Sequence, residues 1–387
     1  MRKTATLIGT AVMIAAFVAP AQASVGDILT FQGVQNIPGS FVVKLKDNRV
    51  TPSATTLGAR FGGQLGYVYD AAFKGFSVKM SDIQARRLAA DPSVEYVERD
   101  QVLSIQATQV NPPSWGIDRI DQRNLPLDQR YTYNSTGAGV NAYVIDTGVR
   151  ISHQTFGGRA KNGHDFVDND AVAQDGNGHG THVAGTIAGA QYGVAKGANI
   201  IAVRVLDNNG SGTLAAVNAG INWVAANHVK PAVANMSLGG GANASLDDAV
   251  RGAITRGVTF AVAAGNSNTN AASTSPARVA EAITVGSTDR NDARSSFSNY
   301  GPVVDVFAPG RDITSAWNTS DTATNTISGT SMATPHVVGV VARYLQGNFN
   351  VTPAQVSAAI TSNATNGKVT NPGAGTTTRL LYWPSTS

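Results

Sequence analysis

From about residue 140 onward the chain repeats one pattern. A short, nearly continuous apolar run, often β-branched, is followed by a connecting stretch that is frequently of helix length. The runs fall at 142–145, 200–203, 232–236, 258–262 and 283–285, and helical stretches at 214–227 and 246–255 lie between them. A strand with one wet face alternates apolar and polar residues, whereas a strand without alternation is buried on both faces. Strands of the second kind interleaved with helices predict an α/β fold: a doubly wound, mostly parallel sheet with helices on both faces. Ligands of such sheets gather beyond the carboxyl ends of the strands, so candidate chemistry is sought there.

The chain ahead of this pattern is organised differently. Residues 41–45 and 94–98 read as strands, and 81–90 as a helix that Ser81 and Asp82 start and Asp91-Pro92 closes. Strand, helix and strand over 37–105 predict a compact α+β unit. Residues 106–114, with Pro112-Pro113, read as a linker. At the start, Arg2 and Lys3 precede a mostly apolar stretch at 5–18 and the small-x-small tripeptide Ala21-Gln22-Ala23. This is the pattern of a secretory signal over 1–23; the competing reading, a membrane anchor, meets a run short for a span. Export permits disulfides, but the chain has no cysteine, which also excludes a thiol nucleophile. Residues 107–387 carry 18 basic and 17 acidic side chains. That near balance gives no footprint for nucleic acid.

Three strand ends or helix starts carry reactive side chains. Asp146 follows the run 142–145 and precedes Thr147-Gly148. His179 lies in DGNGHGTHVAGTIAG (175–189), with His182 three positions on. Asn266 follows the run 258–262. Asp146 and Asn266 each have a plain reading as a turn residue. Two close histidines also suggest zinc, but the spacing is not H-E-x-x-H and no Glu intervenes; His182 reads as a packed structural residue. Ser331, in ISGTSMATPHVVG (327–339), opens an apolar helical run, where free N–H groups and the helix dipole favour negative charge. A serine there is also an ordinary N-cap. Together these positions offer a carboxylate, an imidazole, an amide donor and an alcohol. An alcohol becomes a nucleophile when a base takes its proton and an anion holds that base.

The motifs VIDTGV (144–149), GHGTHVAGTIAG (178–189), NMSLGGG (235–241), AAGNSN (263–268) and GTSMATPHVVG (329–339) resemble the subtilisin-type serine peptidases, most closely the proteinase K branch. The order Asp146, His179, Ser331 is the subtilisin order. The likeness covers about 107–383. It implies that Asp146 orients the base, that His179 is general base and then acid, and that Ser331 attacks the scissile carbonyl. The Ser331 N–H and the Asn266 amide would form an oxyanion hole. Backbone at Gly210, Ser211 and Gly212 and at Ser237, Leu238 and Gly239 would hold an extended polypeptide substrate as an added strand. Gly239, Gly240, Ala263, Ala264 and Gly265 would line the first specificity pocket, whose small uncharged walls imply apolar or aromatic preference.

The resemblance extends to the front unit. FKGFSVKM (73–80) and DPSVEYVERD (91–100) resemble the inhibitory propeptide of these peptidases. The implied organisation is a signal peptide at 1–23, an inhibitory propeptide at 24–106 and a subtilisin-like peptidase domain at 107–387, with self-cleavage near Gln106–Ala107. The product would be a secreted monomer whose own propeptide is its inhibitor, with no nucleic acid or membrane partner. Structural calcium is implied at Asp118, Asp121, Gln122 and Asp128, and at a second site with the carbonyls of Ala280 and Ala282 and the carboxylate of Asp305; Asp168, Asp170 and Asp175 form a weaker third set. Relatives with disulfides, or with a cysteine beside the catalytic histidine, differ from this chain, which has Val183 there. Two other activities remain to be separated: a catalytically dead peptide binder, and an esterase using the same residues.

Overall fold

The computed structural model describes residues 25–30, 36–46, 53–101 and 107–384. They fall into two compact units, one on each side of residues 102–103. The expected leader at 1–23 and Gln106 of the expected maturation site lie outside the described residues.

The first unit is a five-stranded sheet with two helices. In chain order it contains β1 (Ile28–Leu29), β2 (Asn36–Leu45), α1 (Ala54–Arg60), β3 (Gln64–Tyr69), β4 (Gly75–Lys79), α2 (Asp82–Ala89) and β5 (Val94–Gln101). The strand order is β1-β5-β2-β4-β3, antiparallel except for the β1–β5 pair. Phe41 and Val43 of β2, Phe76 and Val78 of β4 and Val97 of β5 pack on Leu57 of α1 and Leu88 of α2. Ser81 and Gln84 close a reciprocal capping box at the start of α2. The α+β class matches expectation, but α1, β3 and β4 were not anticipated. Elements of five to seven residues leave little periodicity to read.

The second unit begins with β6 (Ala107–Val110), α3 (Trp115–Ile120) and β7 (Arg130–Tyr133); β6 and β7 pair antiparallel. There follow β8 (Asn141–Asp146), β9 (Ala160–Asp165), α4 (His179–Ala188), β10 (Asn199–Arg204), α5 (Leu214–Asn227) and β11 (Ala232–Met236). Then come β12 (Gly240–Gly241), α6 (Ala244–Thr255), β13 (Thr259–Ala263), β14 (Thr274–Ser275), β15 (Ile283–Thr288) and β16 (Val306–Pro309). The chain finishes with β17 (Ile313–Ala316), β18 (Thr324–Ile327), α7 (Thr330–Leu345) and α8 (Pro353–Asn363). Seven strands form one sheet in the order β16-β15-β13-β11-β8-β10-β9, and every pairing in it is parallel.

Both faces of that sheet are dry, which is why its strands read as unbroken apolar runs. Ala142 and Val144 of β8 point to one face, among Val183 and Ile187 of α4 and Val337 and Val341 of α7. Tyr143 and Ile145 point to the other, among Ile221 and Val224 of α5 and Val250 and Ile254 of α6. All residues of α7 except Ser331 and Tyr344 are buried. Strands β9 and β16 escaped sequence reading. The first, AKNGHD, is an edge strand paired only with β10 and carries no apolar run; the second is four residues long. Among the described residues no helix is long and apolar enough to cross a membrane.

Candidate active site

The order of the strands reverses beside β8. The chain steps out to β9 at the edge, comes back to β10 and then crosses past β8 to β11. A crevice opens beyond the carboxyl ends of strands where the order reverses. Asp146, the last residue of β8, is fully buried there. Its Oδ1 accepts the N–H of Thr147 at 2.7 Å and meets Nδ1 of His179, also at 2.7 Å. A carboxylate only accepts, so Nδ1 carries the proton and Nε2 is left with its lone pair. His179 is the first residue of α4. Burial works against charge on its ring, yet the Asp146 carboxylate, bonded to it, and Asp175 beyond hold its pKa above the ordinary histidine value.

Ser331 sits in the first turn of α7, the one half-exposed residue of that turn. Its hydroxyl donates to the carbonyl of Ser237 at 3.0 Å rather than to the His179 ring, and Ser237 Oγ donates to the Ser331 carbonyl at 2.9 Å. Pro335 makes the second bond possible. It lies four residues after Ser331 and has no N–H, so the Ser331 carbonyl lacks its helical donor and takes the Ser237 hydroxyl. The buried Asn235 amide donates to Ser237 Oγ at 2.9 Å and fixes the pair from behind.

Asn266 faces the same turn. Its Oδ1 accepts both the N–H and the hydroxyl of Thr330, each at 2.8 Å, which leaves the Nδ2 donor pointing away. The Thr330 hydroxyl also accepts the Gly265 N–H at 3.2 Å. The free side of Gly329 shows where that donor points. A methyl group placed there would lie 3.5 Å from Asn266 Nδ2 and 3.6 Å from Ser331 N. Two donors thus converge on one small space that only a residue without a side chain leaves open. Sequence reading missed Thr330 as the lock on the Asn266 amide; it sits inside the quoted serine motif, but its partner lies 64 residues away.

Two cavities meet along the segment from Ser237 to Gly241. One, of about 660 Å³, has His179 and Thr147 at one end and Gly210, Ser211, Gly212, Ser237, Leu238 and Gly239 along its walls. The other, of about 450 Å³, is lined by Gly239, Gly240, Ala263, Ala264, Gly265, Asn266 and Ser331, without any charged side chain. All the expected substrate-contact residues therefore lie on these two cavities. Asn299 supports the second: its amide donates to the Ala264 carbonyl at 2.8 Å, and its Oδ1 accepts the N–H groups of Ser267 and Thr269. No motif pointed to Asn299.

The expected metal ligands divide. Asp118 and Asp121 are held by α3 and the loop that follows, and each has a buried carboxylate oxygen without a partner. Burial, with the charge of Asp128 nearby, pushes Asp118 up to about 6; burial, with Asp128 and Asp118, pushes Asp121 up to about 7. Such crowded, desolvated carboxylates suit a hard cation. The Gln122 side chain, in contrast, is spent on the loop itself: it donates to the carbonyls of Asn124 and Pro126 and accepts the Asp128 N–H. Among the described residues no three acidic or histidine side chains converge as a ready-made cage. At the opposite end of the sheet, Ala282 precedes β15 and Asp305 precedes β16, with the Asp305 carboxylate accepting the Thr284 N–H at 2.8 Å. Burial pushes Asp305 up to about 6. The third set does not fit a metal: Asp168 pairs with Arg204, Asp170 accepts the Val172 N–H, and all of Asp175 is used by protein donors. His182 is fully buried and meets the Ile313 carbonyl at 2.9 Å, so it is structural as expected.

A two-face parallel sheet with an Asp–His pair at its reversal and a serine at a buried helix start is the architecture of a subtilisin-like serine protease. The comparisons agree. The subtilase family model (peptidase S8) matches residues 137–377, and the peptidase inhibitor I9 model matches residues 40–106. An extracellular serine proteinase of Thermus sp. is 51% identical over 402 residues, spanning 98% of each chain. Alkaline serine exoprotease A of Vibrio alginolyticus is 57% identical over 325 residues, 82% of this chain and 60% of that protein. A solved structure of a cold adapted subtilisin-like serine proteinase is 60% identical with a TM-score of 0.68, covering 70% of this chain and 97% of that one. The chain belongs to the subtilase family. It is an extracellular subtilisin-like serine protease with an I9 inhibitor domain ahead of its protease domain.

Proposed function

We propose that this protein is a serine endopeptidase acting through Asp146, His179 and Ser331, made as a self-processing precursor and cutting after apolar or aromatic residues. The observation that carries this reading is the pair of donors, Asn266 Nδ2 and Ser331 N, facing the open side of Gly329 beside the nucleophile. A peptide lies extended between the backbone of Gly210, Ser211 and Gly212 and that of Ser237, Leu238 and Gly239. Ser331 Oγ turns from the Ser237 carbonyl to His179 Nε2, gives up its proton and bonds to the scissile carbon. The carbonyl electrons move to oxygen, and the two donors hold that oxyanion. His179, its charge matched by Asp146, passes the proton to the departing amine and the C–N bond breaks. Water then enters, loses a proton to His179 and adds to the acyl carbon; the resulting oxyanion collapses, the acyl C–O bond to Ser331 breaks and His179 returns the proton to Ser331 Oγ, which frees the acid.

Uncharged walls around Gly240, Ala264 and Gly265 favour apolar side chains at the first pocket. The reading assigns the signal to 1–23, the inhibitor to 24–106 and the peptidase to 107–387, with self-cleavage near Gln106–Ala107 and a monomeric product. Calcium, when bound at Asp118, Asp121 and the exposed Asp128 or at Asp305, supplies the positive charge that the desolvated carboxylates of Asp118, Asp121 and Asp305 lack.

A serine-directed phosphonyl fluoride tests the chemistry. One adduct at Ser331, lost in Ser331→Ala along with conversion of the precursor, is the expected result. A dead peptide binder would show no adduct. Efficient maturation of purified Ser331→Ala with no other protease present would refute self-processing. A random peptide library read by mass spectrometry gives the preference, and cleavage mainly after Lys or Arg would overturn the pocket reading.

A further inference from the structure

We propose that Asp175 is a positioning residue for this reaction: its carboxylate ties the first turn of α4 to the end of β8 and offsets the helix dipole at His179. The inference rests on His179 being the base.

Asp175 lies four residues before His179 and is 3% exposed. Its Oδ1 accepts the Thr147 hydroxyl at 2.9 Å, the Asn177 N–H at 2.9 Å and the Gly178 N–H at 2.8 Å. Its Oδ2 accepts the N–H and hydroxyl of Thr181, at 2.9 and 2.5 Å. Five donors suit an acceptor-only carboxylate. Gly178 is the N-cap of α4 and has no side chain, so Asp175 serves the free N–H groups from outside the helix.

Thr147 joins this carboxylate to Asp146. Its N–H goes to Asp146 Oδ1, its hydroxyl donates to Asp175 Oδ1, and the same hydroxyl accepts the Gly180 N–H at 2.9 Å. Asp146 and Asp175 are therefore the two ends of one network laid across the contact between β8 and α4. That contact is close, because any side chain on Gly180 would strike the Gly148 carbonyl. The spacing between Asp146 Oδ1 and the His179 ring is set by this network, not by the one bond between them.

The second effect is electrostatic. As the first residue of α4, His179 stands at the positive end of a helix dipole, which opposes protonation. The ionisable groups facing its ring are Asp146, Asp175 and, one turn on, His182. His182 is held neutral, its pKa driven down to about 3 by burial. Among the described residues, Asp175 is thus the one charge besides Asp146 that favours the imidazolium formed during turnover. It acts through His179 and does not touch substrate.

Asp175→Asn and Thr147→Val separate the two effects in the full chain after maturation, with kcat and KM for a chromogenic peptide measured against pH. Asp175→Asn is expected to lower kcat on the order of tenfold, a fraction of the roughly 10²–10⁴ a positioned base contributes. It should also move the acid limb of kcat/KM to lower pH, because a favourable charge beside the imidazolium is gone. Thr147→Val keeps both carboxylates and should lower kcat with the limb in place. An unmoved limb in Asp175→Asn, or wild-type kcat in Thr147→Val, overturns the proposal. Should Asp175→Asn not fold, the kcat of Thr147→Val decides. His179→Ala tests the underlying reading separately: retained activity there would dismiss the base itself, whatever Asp175 does.

Discussion

The hydroxyl of Ser237 and the hydroxyl of Ser331 each bond to the other residue's carbonyl, at 2.9 and 3.0 Å. In the proposed reaction one bond is lost, when Ser331 turns to His179. The other persists and keys the first turn of α7 to the loop after β11, using the carbonyl that Pro335 leaves without a helical donor. The proline inside a buried helix, which helix propensity alone disfavours, is thereby part of the site.

Ser237→Ala is expected to destabilise the protein by about 1–3 kcal/mol, the cost of a buried carbonyl left without a partner. Denaturation of the Ser331→Ala background, which cannot digest itself, measures this. Adding Pro335→Ala restores an N–H four residues after Ser331, so the double substitution should cost less than the sum of the two. Strict additivity in that cycle would mean the proline and Ser237 are unrelated.

Gly329→Ala should act on turnover, not on binding. Gly329 has extended backbone that any residue adopts, so the added methyl brings no strain but fills the space between Asn266 Nδ2 and Ser331 N. The expected fall in kcat is about 10²–10³, the loss on removing the oxyanion-hole asparagine from a subtilisin, with KM nearly unchanged. Thr330→Val, which removes one of the two bonds that hold the Asn266 amide, should give a smaller loss. Wild-type kcat in Gly329→Ala would show that the two donors serve something else.

Metal removal and pH should interact. Burial pushes the carboxyls of Asp118 and Asp121 in the folded chain up to about 6 and about 7, against 3.8 for an ordinary aspartate. A carboxyl whose pKa is raised by folding favours the folded state below that unfolded value, and the advantage is lost as pH rises through the folded pKa. Chelated protein should therefore lose melting temperature between about pH 4 and pH 7. Calcium needs the ionised carboxylates, so its stabilising effect should grow over the same interval. A melting temperature indifferent to both chelator and calcium at pH 7.5 would remove the metal from these residues.

Two buried histidines set the acid side. Burial holds His182 at about 3 and His336 at about 4, both well below the 6.5 of an ordinary histidine. Their contribution is complete above that unfolded value and is lost as pH falls towards the folded ones, because the unfolded chain takes up the protons. In calcium-saturated protein, His336→Leu should flatten the decline in melting temperature between pH 6.5 and 4. An unchanged slope would assign the acid transition to other groups.

The residues proposed to react were legible because each lies in a short motif with unusual local composition, as in SGTSMATP around Ser331. The central strands were legible for a different reason: burial on both faces removes the polar alternation that hides other strands. β9 failed that test because an edge strand needs no apolar run. Thr330, Asn299 and Ser237 Oγ act through partners 30 to 94 residues away, at separations local pattern does not reach. Asp175 was read as a weak metal ligand because an acidic turn looks the same whether its oxygens await a cation or already serve a helix. Gln122 shows the reverse case, since its amide proved to be occupied by its own loop.

Helix α7 meets solvent only at Ser331 and Tyr344. The proposed nucleophile is thus the half-exposed tip of a rod otherwise sealed in the interior, and it has no hinge of its own. Heat cannot loosen it without loosening the packing around Val337 and Val341. Loss of turnover on warming should consequently track the melting of the entire protease domain rather than precede it, and repacking far from the cleft should shift both together.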